Sequence, residues 1–316
     1  MFAQSLLLLR LSIHNSDSLH PLFRANGSLA SASINVDSPL PILSSGNRGT
    51  GCMNQGKVYL VGAGPGDPNL LTVEAFNLLK TADVVFHDDL VSPEVLAIIP
   101  AHVYVENVGK RCGDSKITQQ QIHSLLINAV REGWTVVRLK SGDPLVFSRA
   151  GEELEALRSA GVEYAIVPGI TAAVGAAARA GVSLTDRRFA SRLIFLSNHQ
   201  CAGKARFQGR DTLADATLVI YMPGSDYDDI AANLCADGLT PETPCLLISH
   251  ATRPQHQVHL TTLADLPNAP RYSAPVLLLV GAVAAAYNEH RTRPPEFAIS
   301  SSLSVFELAA DRYGES

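Results

Sequence analysis

The sequence predicts an α/β protein of two domains, each a sheet covered by helices, with a ligand cleft between them. Three observations lead there. The chain has 316 residues, beyond the roughly 100 to 200 residues of one ordinary domain. From Lys57 onward, short apolar runs alternate with amphipathic stretches, the pattern of parallel strands joined by helices that pack on the sheet faces. That alternation breaks at Val167 to Thr171, where Pro168 and Gly169 precede an alanine-rich segment, and a cleft between two such sheets is a common ligand site.

Residues 1–56 are expected to stand outside the fold. The apolar run Leu6 to Leu9 is cut by Arg10 with no basic segment ahead of it, so it matches neither a spanning helix nor a good signal peptide. Residues 15–51 are rich in Ser, Asn, Pro and Gly and read as a disordered leader. Two accounts stay open, an organelle transit peptide or translation that begins at Met53, and the nearness of Met53 to the first strand favours the second.

The first domain, 57–167, is expected to hold strands at 57–61, 83–86, 103–106, 135–139 and 163–167. Its clearest helix opens at Thr118 with Gln121 three residues on, a capping-box spacing in which each side chain satisfies a free amide of the other. Ile122, Leu125, Leu126 and Ala129 repeat on one face, and Gly133 is placed to end the helix. The second domain, 168–288, begins with the tightly packing alanine-rich helix and continues with strands at 192–197, 217–221, 245–249 and 275–280. Residues 289–316 form a tail without a usable motif.

Composition narrows the function. Hydrophobic residues make up 46% and charged residues 17%, with a formal net charge of -5, which describes a globular chain able to bury a core and argues against nucleic-acid binding. Any anionic ligand then needs a local basic patch. Cys52, Cys112, Cys201, Cys235 and Cys245 are scattered with no C-x-x-C pair, so neither a disulfide framework nor a metal knuckle is indicated, and a reducing cytoplasm is the expected setting.

The segment Gly62-Ala63-Gly64-Pro65-Gly66-Asp67-Pro68 follows the first strand directly. It fails as a dinucleotide fingerprint: Asp67 stands where the third glycine would fall, and Pro65 removes a backbone donor that a phosphate would use. A tight structural turn remains open. So does a loop that lets a neutral or cationic ligand, such as a sulfonium cofactor, approach the backbone.

Ordered segments along the chain carry a resemblance. They are VYLVGAGPGDPNLLT, VVFHDDLVSPEVL, VGKRCG followed by TQQQIH, VVRLKSGDPLVFSRAGEE and VPGITAAVGAAARAGVSLT, then LVIYMPG, PCLLISHATRPQHQV and APVLLLVGAV. Through these, Lys57 to about Val283 resembles the uroporphyrinogen-III C-methyltransferase branch of the tetrapyrrole methylase family. The resemblance implies a homodimeric methyltransferase with S-adenosyl-L-methionine in the cleft between its domains, S-adenosyl-L-homocysteine as product, a small-molecule tetrapyrrole substrate and no metal. It also implies a place in the routes to sirohaem, cobalamin or haem d1, with no membrane or nucleic-acid partner.

On matching positions the resemblance assigns cofactor contacts to Pro65, Gly142, Asp143, Val146, Thr171, Ala172, Met222 and Ala251. Asp88 matches the proton acceptor and Lys110 the proposed donor. Read without the resemblance, Asp143 before Pro144 is equally a turn former, and Met222 equally a core residue. A substrate with acetate and propionate arms calls for cations, and arginine can grip a carboxylate through two parallel hydrogen bonds. Candidates are Arg111, Arg138, Lys140, Arg149, Arg187 and Arg188, with Arg138 and Lys140 on one face of a strand.

Three positions depart from the family pattern. Asp89 stands where arginine is usual, Ser141 replaces the first glycine of Gly-Gly-Asp, and Asp186 replaces the histidine of Thr-His-Arg. These keep two other readings in view, a methyltransferase acting on a later precorrin and a non-catalytic relative that binds cofactor or tetrapyrrole. GKR, the Gln-Gln-Gln-Ile helix and VFSRAGEE favour the uroporphyrinogen branch.

Overall fold

The computed structural model describes residues 56–109, 117–198 and 213–287. The first sheet contains β1 (Lys57–Gly62), β2 (Val84–His87), β3 (Tyr104–Asn107), β4 (Thr135–Lys140) and β5 (Tyr164–Val167), in the order β3-β2-β4-β1-β5. All its pairings are parallel. β1, β2 and β4 are flanked on both sides and are almost wholly buried, whereas the edge strand β3 alternates half-buried with exposed positions. That is how interior and edge strands of a covered parallel sheet read in sequence.

The connecting helices are α1 (Val73–Thr81), α2 (Pro93–Leu96), α3 (Gln119–Arg131) and α4 (Ala150–Ser159). In α3 both arms of the capping box form: the Gln121 amide donates to Thr118 Oγ1 at 3.2 Å and the Thr118 amide donates to Gln121 Oε1 at 2.7 Å. Ile122, Leu125, Leu126 and Ala129 are its buried residues. Gly133 follows at φ 84°, a left-handed conformation that costs glycine little and ends the helix.

The second sheet corrects an expectation. Its order is β6 (Arg192–Ser197), β7 (Ala216–Tyr221), β10 (Val276–Val280), β8 (Pro244–Ser249) and β9 (Gln257–Thr262). Only β6 and β7 pair in parallel, and the other three pairings are antiparallel. A parallel neighbour needs a crossover of a dozen or more residues, and the short 250–256 connection after β8 allows only a reversal. β9 was not expected from the sequence.

α5 (Ala172–Ala180) and α6 (Tyr227–Ala236) cover opposite faces of this sheet. Along β7 the alternation of side chains sends Leu218 and Ile220 to Tyr227, Ile230 and Leu234 of α6, and Val219 and Tyr221 to Ala173, Ala176 and Ala180 of α5. Among the described residues no helix is long and apolar enough to cross a membrane. Residues 1–55 and 288–316, which carry the expected leader and tail, lie outside the described residues, as do Cys52, Cys112 and Cys201.

Candidate active site

In a parallel sheet every strand delivers its following loop to the same end, where ligands collect. The loops after β1, β4 and β5 meet there through their backbones. The Gly64 and Gly142 amides exchange hydrogen bonds with each other's carbonyls at 3.1 and 2.8 Å, and the Ala63 amide donates to Lys140 O at 2.8 Å. Gly64 and Gly142 hold φ of 68° and 71°, which only glycine adopts without strain. A Cβ on Gly169 would lie 2.3 Å from the Gly142 carbonyl oxygen and 2.8 Å from Gly62 Cα. The three loops therefore touch main chain to main chain.

Asp143 fastens this arrangement. Its Oδ1 accepts from the Leu145 amide at 2.8 Å and its Oδ2 from the Gly169 amide at 3.0 Å. The first bond is that of a turn former, and the second ties the β4 loop to the β5 loop.

Residues of the second sheet close on the same loops. Tyr221 Oη lies 2.6 Å from Thr171 Oγ1 and accepts from the Ala173 amide at 3.2 Å, while its ring meets Phe147 at 4.9 Å between centroids. Burial raises the Tyr221 phenol above its ordinary pKa, so it remains a neutral partner. Val146 and Ala172 pack against the cluster that contains Ala251, Ala176, Val219 and Ile248. Pro65 faces α5 so closely that a Cβ on Gly175 would come within 2.6 Å of its Cγ. The Asp67 amide donates to Thr252 Oγ1 at 3.2 Å, and Arg179 of α5 pairs with Asp67 Oδ2 at 2.7 Å.

Backbone conformation marks the same place independently. Among the described residues, the non-glycine positions with positive φ are Phe147, Arg149, Met222, His250 and Thr252. They stand next to or near Val146, at Met222 itself, and on both sides of Ala251. Such conformations persist only where the surroundings impose them and cluster at ligand sites. Met222 is 42% exposed, as is Phe147, and Leu145 is 61% exposed. Met222 is therefore an apolar surface at the mouth of this region rather than a core residue.

Asp88 follows β2 at the same sheet end. Its Oδ1 accepts from Arg138, whose Nε donates to Glu153 Oε1 at 3.2 Å and whose remaining nitrogen donates to the Phe86 and Leu139 carbonyls. Lys140 Nζ meets both oxygens of Glu153 at 3.0 Å. Burial opposes the charge on Arg138, but Asp88 and Glu153 outweigh it and raise its pKa. Burial, with Arg138 beside it, lowers that of Lys140. The two cations do share a face of β4, but that face is the interior. The expectation that they grip substrate carboxylates is not met by this placement, because a buried charge needs a buried counter-charge and Glu153 supplies it.

The other expected cations lie elsewhere. Arg149 is exposed before α4 and pairs with Glu152 at 2.7 Å. Arg188 pairs with Asp186 at 2.6 Å, and its side-chain and backbone hydrogen bonds hold that carboxyl down at about 2. Arg187 is exposed in the same turn. Lys110 and Arg111 lie outside the described residues. Asp89 accepts from Asn107 Nδ2 at 3.2 Å, which ties the ends of β2 and β3. Sequence reasoning missed two residues, Tyr221 and Glu153. The signal for Glu153 was present, since a carboxylate between Ala150 and Leu157 falls on the apolar face of a helix.

The fold and these loops are those of a known class. Residues 57–267 match the family of Tetrapyrrole (Corrin/Porphyrin) Methylases, and the chain belongs to that family. It is 46% identical over 240 residues to the uroporphyrinogen-III C-methyltransferase of Paracoccus denitrificans, covering 74% of this chain and 84% of that one. It is 41% identical to the siroheme synthase of Nitrosococcus oceani over 74% of this chain and 51% of that one, so it spans about half the length of that relative. Among solved structures it resembles uroporphyrin-III-C-methyltransferase from Thermus thermophilus at 40% identity and a TM-score of 0.63, covering 74% of this chain and 95% of the other. A structure of uroporphyrin-III C-methyl transferase from Thermus thermophilus complexed with S-adenyl homocysteine matches at 36% identity and a TM-score of 0.64, over 73% and 100% of the two chains.

The residues gathered here fit such a cofactor. Glycine backbones and small side chains allow close approach, Pro65 offers no amide to a phosphate, and Asp143 has both oxygens on backbone amides. The exposed apolar surface of Met222, Phe147 and Leu145 suits an adenosyl group and a sulfonium better than a polyanion.

Proposed function

We propose that this chain is a uroporphyrinogen-III C-methyltransferase that uses S-adenosyl-L-methionine and gives precorrin-2 by way of precorrin-1, with methylation at C-2 and C-7. The observation that carries the reading is the convergence of Pro65, Gly142, Asp143, Val146, Thr171, Ala172 and Ala251 on one strained, glycine-lined, apolar region. The relatives support the choice of substrate. The cofactor, when bound, supplies a methyl group already activated on a sulfonium.

The protein's own task is alignment and proton management. The Gly62, Gly142 and Gly169 backbones, with Val146, Thr171, Ala172, Met222 and Ala251, hold the cofactor and exclude water. Asp88, at the end of β2, accepts the proton that the macrocycle loses after methylation, and Lys110 is the donor. With Arg138 and Lys140 turned inward, Arg111 and Arg149 remain as contacts for substrate carboxylates. The working unit is a cytoplasmic homodimer.

The test is an anaerobic incubation of the purified chain with S-adenosyl-L-methionine and enzymatically generated uroporphyrinogen III, followed by product mass. The expected gain is two methyl groups. A second reading, action on a later precorrin, draws on the likeness to cobalt precorrin-4 methyltransferase at 28% identity and a TM-score of 0.65. No mass gain with uroporphyrinogen III, in a protein that binds the cofactor, would replace the first reading with this one.

A further inference from the structure

Four ionisable side chains alternate in sign beneath the ends of β2 and β4. Their order is Asp88, Arg138, Glu153 and Lys140, and their side chains are 28%, 3%, 1% and 1% exposed. Only Asp88 reaches the open end of the sheet. Glu153 is the hub: Arg138 Nε, Lys140 Nζ and, at 3.3 Å, Gln119 Nε2 all donate to its Oε1. Among the described residues, the other charged or titratable groups beside Asp88 are its chain neighbours His87, whose Nδ1 is 2.9 Å from Asp88 O, and Asp89. His87 is kept neutral by burial, its pKa lying below the usual value.

Stability alone gives little reason for this network, because apolar residues of similar volume commonly serve a core as well as a buried ion pair does. A reason appears when the proton step is followed. The proton leaves a bridging methylene carbon of the methylated macrocycle for an Asp88 oxygen, the C–H electron pair returns to the macrocycle, and Asp88 becomes an uncharged acid. Arg138, almost wholly buried, loses its outer counter-charge at that moment. Glu153 is the anion that stays with it.

We propose that Glu153 is a positioning residue for proton removal at Asp88. It holds the Nε edge of Arg138, so that the opposite edge meets Asp88, and it carries part of the guanidinium charge so that Asp88 can give up its own. Lys140 balances Glu153 from the far side. This rests on the reading of Asp88 as proton acceptor. Without Glu153 the whole charge of Arg138 falls on Asp88, which becomes a weaker base.

The experiment compares the full chain with Glu153→Gln under anaerobic single turnover, measuring precorrin-2 appearance against pH. The rate is expected to fall about tenfold and its acid limb to move to lower pH by about one unit, with cofactor affinity by calorimetry unchanged. Glu153→Asp keeps the charge and is expected to return the limb close to its original position. Lys140→Met with Glu153→Gln removes the inner pair as a unit, keeps the charge balanced should the single variant fail to fold, and is expected to retain the shifted limb. An acid limb that stays in place in the Gln variants, whatever the rate, makes Glu153 a packing residue and overturns the proposal. Asp88→Asn, run in parallel, separates the two ideas: turnover at the original rate in that variant removes Asp88 as the base, whereas lost turnover with an unmoved limb in the Gln variants removes Glu153 alone.

Discussion

At the scale of single residues, Met222 carries the sharpest consequence. It stands at φ 51° directly after Tyr221 and keeps 42% of its surface exposed, an arrangement suited to receiving an apolar ligand face. Met222→Lys is expected to weaken S-adenosyl-L-methionine binding by about a hundredfold or more, because an ammonium would be buried beside a cationic sulfonium without a counter-charge. Calorimetry that finds the original affinity would move the adenosyl site elsewhere. The sequence left Met222 open between core and ligand, since a thioether suits both, and its exposure argues against the core. Asp143 was likewise readable as a turn former from its place before Pro144, but its bond to the Gly169 amide spans 26 residues, a distance no local pattern encodes. The inward turn of Arg138 and Lys140 was hidden for the same reason. Alternation placed them on one face of β4 without saying which face was the interior.

At the scale of elements, the site depends on how closely three loops approach. Gly169→Ala is expected to destabilise the fold by about 1–3 kcal/mol, since the added methyl meets the Gly142 carbonyl and Gly62 Cα, both main chain. Thermal melts check it, and an unchanged midpoint would mean that the β4 and β5 loops separate freely. The elements most legible in the sequence were those whose signal is local and redundant, such as α3 with its capping box and four buried apolar positions. β2 and β3 were expected one residue early, a shift within the ordinary fraying of strand ends. β9 was missed because an edge strand needs a ladder on one side only and buries no continuous apolar run. Its residues, QVHLTT, are all exposed or half-buried.

At the scale of the whole molecule, side chains from the two sheets grip one another around the site. Arg179 pairs with Asp67, Thr252 receives the Asp67 amide, Arg253 donates to Leu90 O, and Thr171 meets Tyr221. Two histidines in or beside this region, His250 and His256, and His87 beside Asp88, all have pKa values lowered by burial. Below their ordinary value near 6.5 the unfolded chain binds protons that the folded chain refuses, so stability is full above about pH 6.5 and falls as the pH drops through that value. Glu106, raised by burial, acts in the opposite direction but in the lower range of a carboxylate. Thermal melts are expected to give a lower midpoint at pH 5.5 than at pH 7.5, and an equal or higher midpoint would show that the three imidazoles accept protons in place.

The strand order of the second sheet has a bearing on synthesis. β10, the last of the described strands to leave the ribosome, lies in the middle of its sheet between β7 and β8. A nascent chain that has emerged as far as Ala274 therefore carries β6 with β7 and β8 with β9 as two unjoined ribbons, each with an apolar open edge where Leu277, Leu278 and Leu279 will pair. Open edges of this kind invite pairing with other chains, so the first sheet can close during translation while the second must wait for its keystone.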